Sequence, residues 1–346
     1  MAGNNNGGRN RRPKQASIDQ VASRAGVSTA TVSRVLNNPS LVTPATAKRV
    51  EEAIAELRYR PNMFAKGLMM RRSRVLALVL PDIHGEFYSE LLRVADGRAH
   101  ELGYHLLASS RSPFEDSEEV MPFAFGLLDG VVLMLPTGDR RALEHAARLD
   151  APLVLVELDG SNDGFDSILI DNAPGARAAI EHILESVPPE QCIYVGGEEY
   201  NADTEQRVRA FTETLRARGH EPQSHQIVFG SFDSAHGESW ANTVGPEVIR
   251  GAGIVSGNDE IAFGVMSAAS AHNLRAPDDF RIVGFDNSRL SALVRPRLSS
   301  VRIPLGQIAE QAVSMLVERI EQEDDAEIVP PRVVRMATEL VVRETS

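Results

Sequence analysis

The chain has 346 residues, 42% of them hydrophobic, one cysteine and a formal net charge of −12. That length supplies a small head and one or two larger domains. One cysteine excludes an internal disulfide framework, and no apolar stretch is long enough to cross a membrane as a helix.

Residues 1–15 are rich in Asn, Gly and Arg and lack the apolar centre of a secretory signal. They read as a disordered basic arm, and the protein is expected in the cytoplasm, at the nucleoid. Residues 1–74 hold 14 Lys and Arg against 4 Asp and Glu, a net of +10, which leaves −22 on the remainder. A basic head attracts phosphate, and an acidic body limits non-specific adhesion to it.

The run Ser17 to Asn37 predicts two short helices. Ser17 can cap the first, and Gln20 three residues later completes a capping box. Ile18, Val21, Ala22 and Ala25 share one face, and Gly26 permits the turn. Ser28 caps the second helix, whose Val32, Val35 and Leu36 bury against the first. Thr29, Ala30, Ser33 and Arg34 point outward. Short side chains there let a helix approach base edges, and Arg34 can reach a phosphate or a guanine. This is the pattern of a helix-turn-helix whose second helix enters the major groove. The DNA-contact candidates on it are Ser28, Thr29, Ala30, Thr31, Ser33, Arg34 and Asn37.

A third helix follows, with Thr43 as cap, Pro44 at its first position and Ala45 to Leu57 behind. Val50, Ala53, Ile54 and Leu57 close a three-helix head over residues 16–61. Residues 62–74 are either a plain linker or a hinge that orders on DNA, with Leu68 or Met69 wedged in the minor groove. Asn62, Ala65, Lys66 and Leu68 are its contact candidates.

From residue 75 onward, apolar runs of strand length alternate with helical patterns. The strands are Val75–Leu80, Tyr104–Ser109, Val131–Leu135, Leu153–Leu158, Ile168–Ile170, Ile193–Val195, Gly253–Ser256, Arg281–Phe285 and Ser299–Ile303. Helices are expected over Tyr88–Leu102, Pro174–Leu184, Glu205–Arg218 and Ala262–His272. So many alternations predict an α/β body with two parallel sheets and a cleft between two lobes. Ligands of such folds sit at the carboxyl ends of strands. Glu157, Asp171, Asn172, Asn258, Asp259 and Asp286 lie there, and Arg207 can clamp a carboxylate, a phosphate or a sugar hydroxyl. Each taken singly also reads as a cap or turn residue.

The head resembles the LacI/GalR family of bacterial transcription regulators through its VASRAGVSTATVSRVLN and VTPATAKRVEEAIAELRYRPN runs and through Ala65 and Leu68. The resemblance implies a hinge helix whose leucine, at Leu68, pries open a central base step. The body resembles the family's periplasmic-binding-protein-like (type I) effector domain. Ser256 to Ala262 matches its Asn-Asp-x-x-Ala signature, Val283 to Asp286 its Val-Gly-Phe-Asp signature, and Leu298 to Arg302 the crossover back to the first lobe. The resemblance implies effector contacts from Arg207, Phe232, Asn258 and Asp286 of the second lobe and from Phe87 and Glu157 of the first. It places the first lobe at about 75–172 and 303–325 and the second at about 173–302 and 326–346. The chain departs from the family pattern at Thr29-Ala30, Gly67, His84-Gly85-Glu86, Ala210 and Val187 to Cys192.

The expected protein is an operator-binding regulator, most readily a repressor. It would act as a homodimer on a pseudo-palindrome, under control of a small molecule, a sugar or sugar derivative. No cofactor, metal, membrane or catalytic role is expected. A solute-binding transport component shares the body but not the basic head. A sugar-processing enzyme using Glu157, Asp171 or Asp286 lacks an acid and base paired by spacing.

Overall fold

The computed structural model describes residues 16–59, 72–110, 128–134, 143, 151–322 and 329–346. They divide between Ser73 and Arg74 into two compact units. The arm over 1–15 and the contact candidates Asn62, Ala65, Lys66 and Leu68 lie outside the described residues, as does most of the 62–74 segment.

The first unit contains α1 (Ile18–Ala25), α2 (Thr29–Asn37) and α3 (Pro44–Leu57). The capping box is formed: the Gln20 N–H donates to Ser17 Oγ at 3.3 Å and the Ser17 N–H to Gln20 Oε1 at 2.9 Å. Gly26 ends α1 at φ 65°, a left-handed conformation costly for other residues. Val21, Ala22, Ala25, Val32, Val35, Val50 and Ala53 form the buried centre. Arg24 and Glu56 tie α1 to α3 by an exposed ion pair at 2.6 Å. Thr43 precedes α3 but does not cap it through a backbone N–H; its hydroxyl donates to that of Thr46 at 3.0 Å.

The second unit alternates strands and helices in the order β1 (Val75–Val79), α4 (Gly85–Glu101), β2 (His105–Ser109), β3 (Gly130–Met134), β4 (Leu153–Val156), β5 (Asp166–Asp171), α5 (Asn172–Leu184), β6 (Cys192–Val195), α6 (Ala202–Ala217), β7 (Ile227–Val228), α7 (Ser234–Val244), β8 (Gly253–Ser256), α8 (Asp259–Ala271), β9 (Arg281–Asp286), β10 (Ser299–Arg302), α9 (Leu305–Gln322), β11 (Val333–Ala337) and β12 (Glu339–Val341). Two sheets result, ordered β11-β5-β4-β3-β1-β2 and β12-β10-β9-β8-β6-β7. All pairings are parallel except β10 with β12. Both faces of each sheet are covered, as parallel sheets require. Leu76 and Leu78 face one apolar cluster, and Ala77 and Val79 face another. Among the described residues no helix is long and apolar enough to cross a membrane.

The chain passes between the lobes after β5, after β10 and after β11. The third passage corrects the expected boundary. β11 pairs with β5 in the first sheet, and only β12 joins the second, so residues 333–337 belong to the first lobe. Cys192 is fully buried at the start of β6, and burial pushes its thiol up to about 12, which leaves a packing residue and not a nucleophile.

Candidate functional site

In the first unit, the Ser28 hydroxyl accepts the Thr31 N–H at 3.2 Å, so the cap that starts α2 also fixes its first turn. Ser28, Thr29, Ala30 and Arg34 are exposed, while Thr31 and Ser33 are half-buried. The outward face is therefore narrower than the helical wheel suggests, with Ser33 turned partly inward. Asn37 closes α2.

In the second unit, one cleft of about 130 Å³ brings together all six residues expected to meet an effector: Phe87, Glu157, Arg207, Phe232, Asn258 and Asp286. Phe87 comes from the first turn of α4 and Glu157 from the end of β4. Asp286 ends β9, and Asn258 stands between β8 and α8. Asp171 is not among the lining residues.

Local backbone explains how the strand ends present these groups. Glu157 has φ 71° and Asp286 φ 102°, and Asn287 follows at 55°. Left-handed positions at residues other than glycine cost about 1–3 kcal/mol each and cluster at functional sites. Asn258 caps α8: its Oδ1 accepts the Ile261 N–H at 2.9 Å, and its Nδ2 donates to the Phe232 carbonyl at 3.0 Å. The cap thereby holds the loop that carries the Phe232 ring. Gly197 makes room for that ring, since a Cβ at 197 would fall on it.

Arg207 is buried and largely committed. Its Nε donates to Asn172 Oδ1 at 2.9 Å, Nη1 to the Gly257 carbonyl at 2.6 Å and Nη2 to Asp203 Oδ2 at 3.2 Å. Its guanidinium lies 3.8 Å from the centroid of the Phe285 ring, a cation–π stack. Asn172 Nδ2 donates in turn to Asp203 Oδ1 at 2.8 Å. Arg207 is thus less an open clamp than the centre of a rigid wall. Asp203 and Phe285 were not singled out from the sequence. The four-residue spacing of Asp203 and Arg207 along a helix is the one local signal for their pairing.

The electrostatics are dominated by carboxylates. Burial, with the charges of Asp203 and Asp286 nearby, raises Glu157 well above the usual range against the pull of Arg207. Burial and the charges of Asp259, Asp203 and Glu260 do the same to Asp286, again opposed by Arg207. Burial pushes Asp259 up to about 7, although hydrogen bonds from Ser300 and Ser288 oppose it. Tyr88 beside them is raised by burial and by the same acids.

Residues 17–62 match the family described as bacterial regulatory proteins, lacI family, and residues 190–346 match a periplasmic binding protein-like domain. The catabolite control protein A of Priestia megaterium is 31% identical over 315 residues, covering 90% of this chain and 95% of its own length. The transcriptional repressor PurR of Glaesserella parasuis is 28% identical over 338 residues, covering 95% and 98%. Among solved structures, a lac repressor dimer bound to operator superposes with a TM-score of 0.82 at 24% identity, over 96% of this chain and 99% of its own. A complex of the regulator CelR with cellobiose superposes at 0.67 and 23%, over 96% and 100%. These structural likenesses carry the fold.

Proposed function

The chain belongs to the lacI family of bacterial regulatory proteins and is a DNA-binding transcriptional regulator, and from that premise we propose that it is a ligand-controlled repressor. It acts in the cytoplasm as a homodimer, each head reading one half of a pseudo-palindromic operator. A small polyhydroxylated molecule binds in the cleft without being turned over and shifts the balance between two lobe arrangements. The observation that carries the reading is the convergence of Phe87, Glu157, Arg207, Phe232, Asn258 and Asp286 from six separate segments on one cleft, in a chain that also carries the helix-turn-helix. The relatives support a regulator over a solute-binding transport component, since the match includes the head.

On the DNA side, Ser28, Thr29, Ala30, Thr31, Ser33, Arg34 and Asn37 make the major-groove contacts. Asn62, Ala65, Lys66 and Leu68 make those of the hinge. The test is operator selection from random DNA with the full chain, followed by binding of the selected sequence by the full chain and by residues 75–346. Binding by the full chain alone, altered by a ligand that the shorter protein also binds, is the expected result. Equal DNA binding by both proteins would sink the division of labour.

A further inference from the structure

The cleft is lined by six carboxylates, those of Glu86, Glu157, Asp203, Asp259, Glu260 and Asp286, against the guanidinium of Arg207 and the imidazole of His84. The imidazole is turned to Asp82 at 2.6 Å. Three of the acids are already matched. Asp203 accepts from Asn172 and Arg207, Asp259 from Ser288 and Ser300, and Glu86 from the Leu290 N–H at 3.0 Å. Glu157 and Asp286 are not: among the described residues neither carboxylate accepts a hydrogen bond. Both are held toward the cleft by left-handed backbone, one from each lobe. Three of the five N–H groups of Arg207 are spent within its own lobe.

The groups left for a ligand are therefore mostly acceptors that become negative on ionisation. An anionic ligand would meet repulsion from both lobes. A neutral polyol can donate hydroxyl protons to these acceptors, but it supplies no countercharge when they ionise. An ammonium group supplies three donors and cancels charge. Phe87, Tyr88 and Phe232 line the same cleft, and aromatic rings attract a cation in a way they do not attract an anion. A bare metal ion fits less well, since among the described residues no three His, Cys, Asp or Glu side chains converge as ligands. We infer that the effector is a small hydroxylated molecule bearing a protonated amine, an amino sugar or amino alcohol, whose ammonium lies between Glu157 and Asp286. This rests on the reading of the cleft as the effector site.

One consequence concerns protons. Glu157 faces Asp203, Arg207 and Asp286, and Asp286 faces Asp259, Glu260, Asp203 and Arg207, with the Tyr88 hydroxyl and Asp82 on the first-lobe side. Both carboxyls are shifted upward, and an ammonium favours their ionised forms, so its binding is coupled to release of protons from this pair. Affinity then rises with pH until the ligand's own amine deprotonates.

The test uses the full chain and a panel of amino sugars and amino alcohols. Each is paired with its N-acetylated, hydroxyl-for-amine and phosphorylated counterparts. Thermal shift serves as the screen, and calorimetry in two buffers of different ionisation enthalpy serves as the measure. The expected result is an amine that binds at least about tenfold tighter than its counterparts, with proton release, and loses about tenfold in both Glu157→Gln and Asp286→Asn. Equal or tighter binding of a neutral or phosphorylated counterpart overturns the inference and leaves the regulator reading intact. Stabilisation by no member also overturns it. Operator binding of the same preparation reports separately on the regulator reading, and the thermal transition of each variant reports on folding.

Discussion

The hydroxyl of Thr338 donates to the carbonyl oxygen of Asp171 at 2.8 Å, joining two of the three passages between the lobes. Thr338 Oγ1 in turn accepts the Gly175 N–H at 3.1 Å, so the first turn of α5 is tied to the link between β11 and β12. Asp171 ends the first-lobe strand β5 and Asn172 opens the second-lobe helix α5. This clasp therefore sits where any relative motion of the lobes must be absorbed.

Thr338→Val removes the clasp while nearly conserving volume. It strands the Asp171 carbonyl and the Gly175 N–H, and a loss of about 1–3 kcal/mol is expected in denaturant unfolding. Stability within about 0.5 kcal/mol of the parent would show that water replaces the hydroxyl.

Asp166 is buried and receives Arg319 Nη2 at 2.7 Å and Arg332 Nη2 at 2.8 Å, which pins α9 and the start of β11 to β5. Asp166→Ala removes the carboxylate partner of Arg319 and leaves Arg332 with Glu318 alone, and should cost about 3 kcal/mol. Burial raises this carboxyl, but the arginine hydrogen bonds outweigh it and hold it below the usual carboxylate range. Its stabilisation is thus fully present above the unfolded carboxyl's range and is lost as pH falls through the lowered folded value. An acid unfolding curve for Asp166→Asn that lacks this component would confirm the sign.

Arg207→Lys keeps the charge but cannot reach Asn172, Asp203 and the Gly257 carbonyl together. Ligand-induced stabilisation should fall at least about tenfold in apparent affinity, as expected of a disordered cleft wall. DNA binding without ligand should persist, because the head folds around its own core. An unchanged ligand affinity would remove Arg207 from the wall's essential parts.

Gly197→Ala places a methyl group where the Phe232 ring lies. The ring must move, and the ligand response should weaken while the unfolding midpoint changes little. Phe232→Ala is the control. If the double variant binds no worse than either single one, both act through the ring.

Arg34→Ala tests whether this exposed side chain reads a base or holds a phosphate. Loss confined to the selected operator, by about 1–3 kcal/mol, marks base contact. A uniform loss with a shallower salt dependence marks phosphate contact. No loss on any DNA would exclude Arg34 from the interface.

The head was almost fully legible because its determinants are local. The capping box of Ser17 and Gln20, the turn at Gly26 and the cap at Ser28 act over three or four residues, and all three form as the spacing predicts. Thr43 does not cap α3: its hydroxyl bonds that of Thr46 and accepts no backbone N–H. In the body, strand and helix alternation announced two sheets, but β7, β11 and β12 were missed. All three are short edge strands with no fully buried residue, and they carry little apolar patterning of their own.

The sequence by itself determined that a basic helix-turn-helix precedes an acidic two-sheet body, and that polar residues stand at the ends of its strands. Those are properties of charge and of near-neighbour periodicity. Only the tertiary structure decided what those residues face. Arg207 spends its donors on Asn172 and Gly257, which lie 35 and 50 residues away. Glu157 and Asp286 line one cleft from opposite lobes, and among the described residues neither carboxylate accepts a hydrogen bond. Chain folding, not spacing, brings such partners together, and their burial turns ordinary carboxylates into the groups that define the cleft.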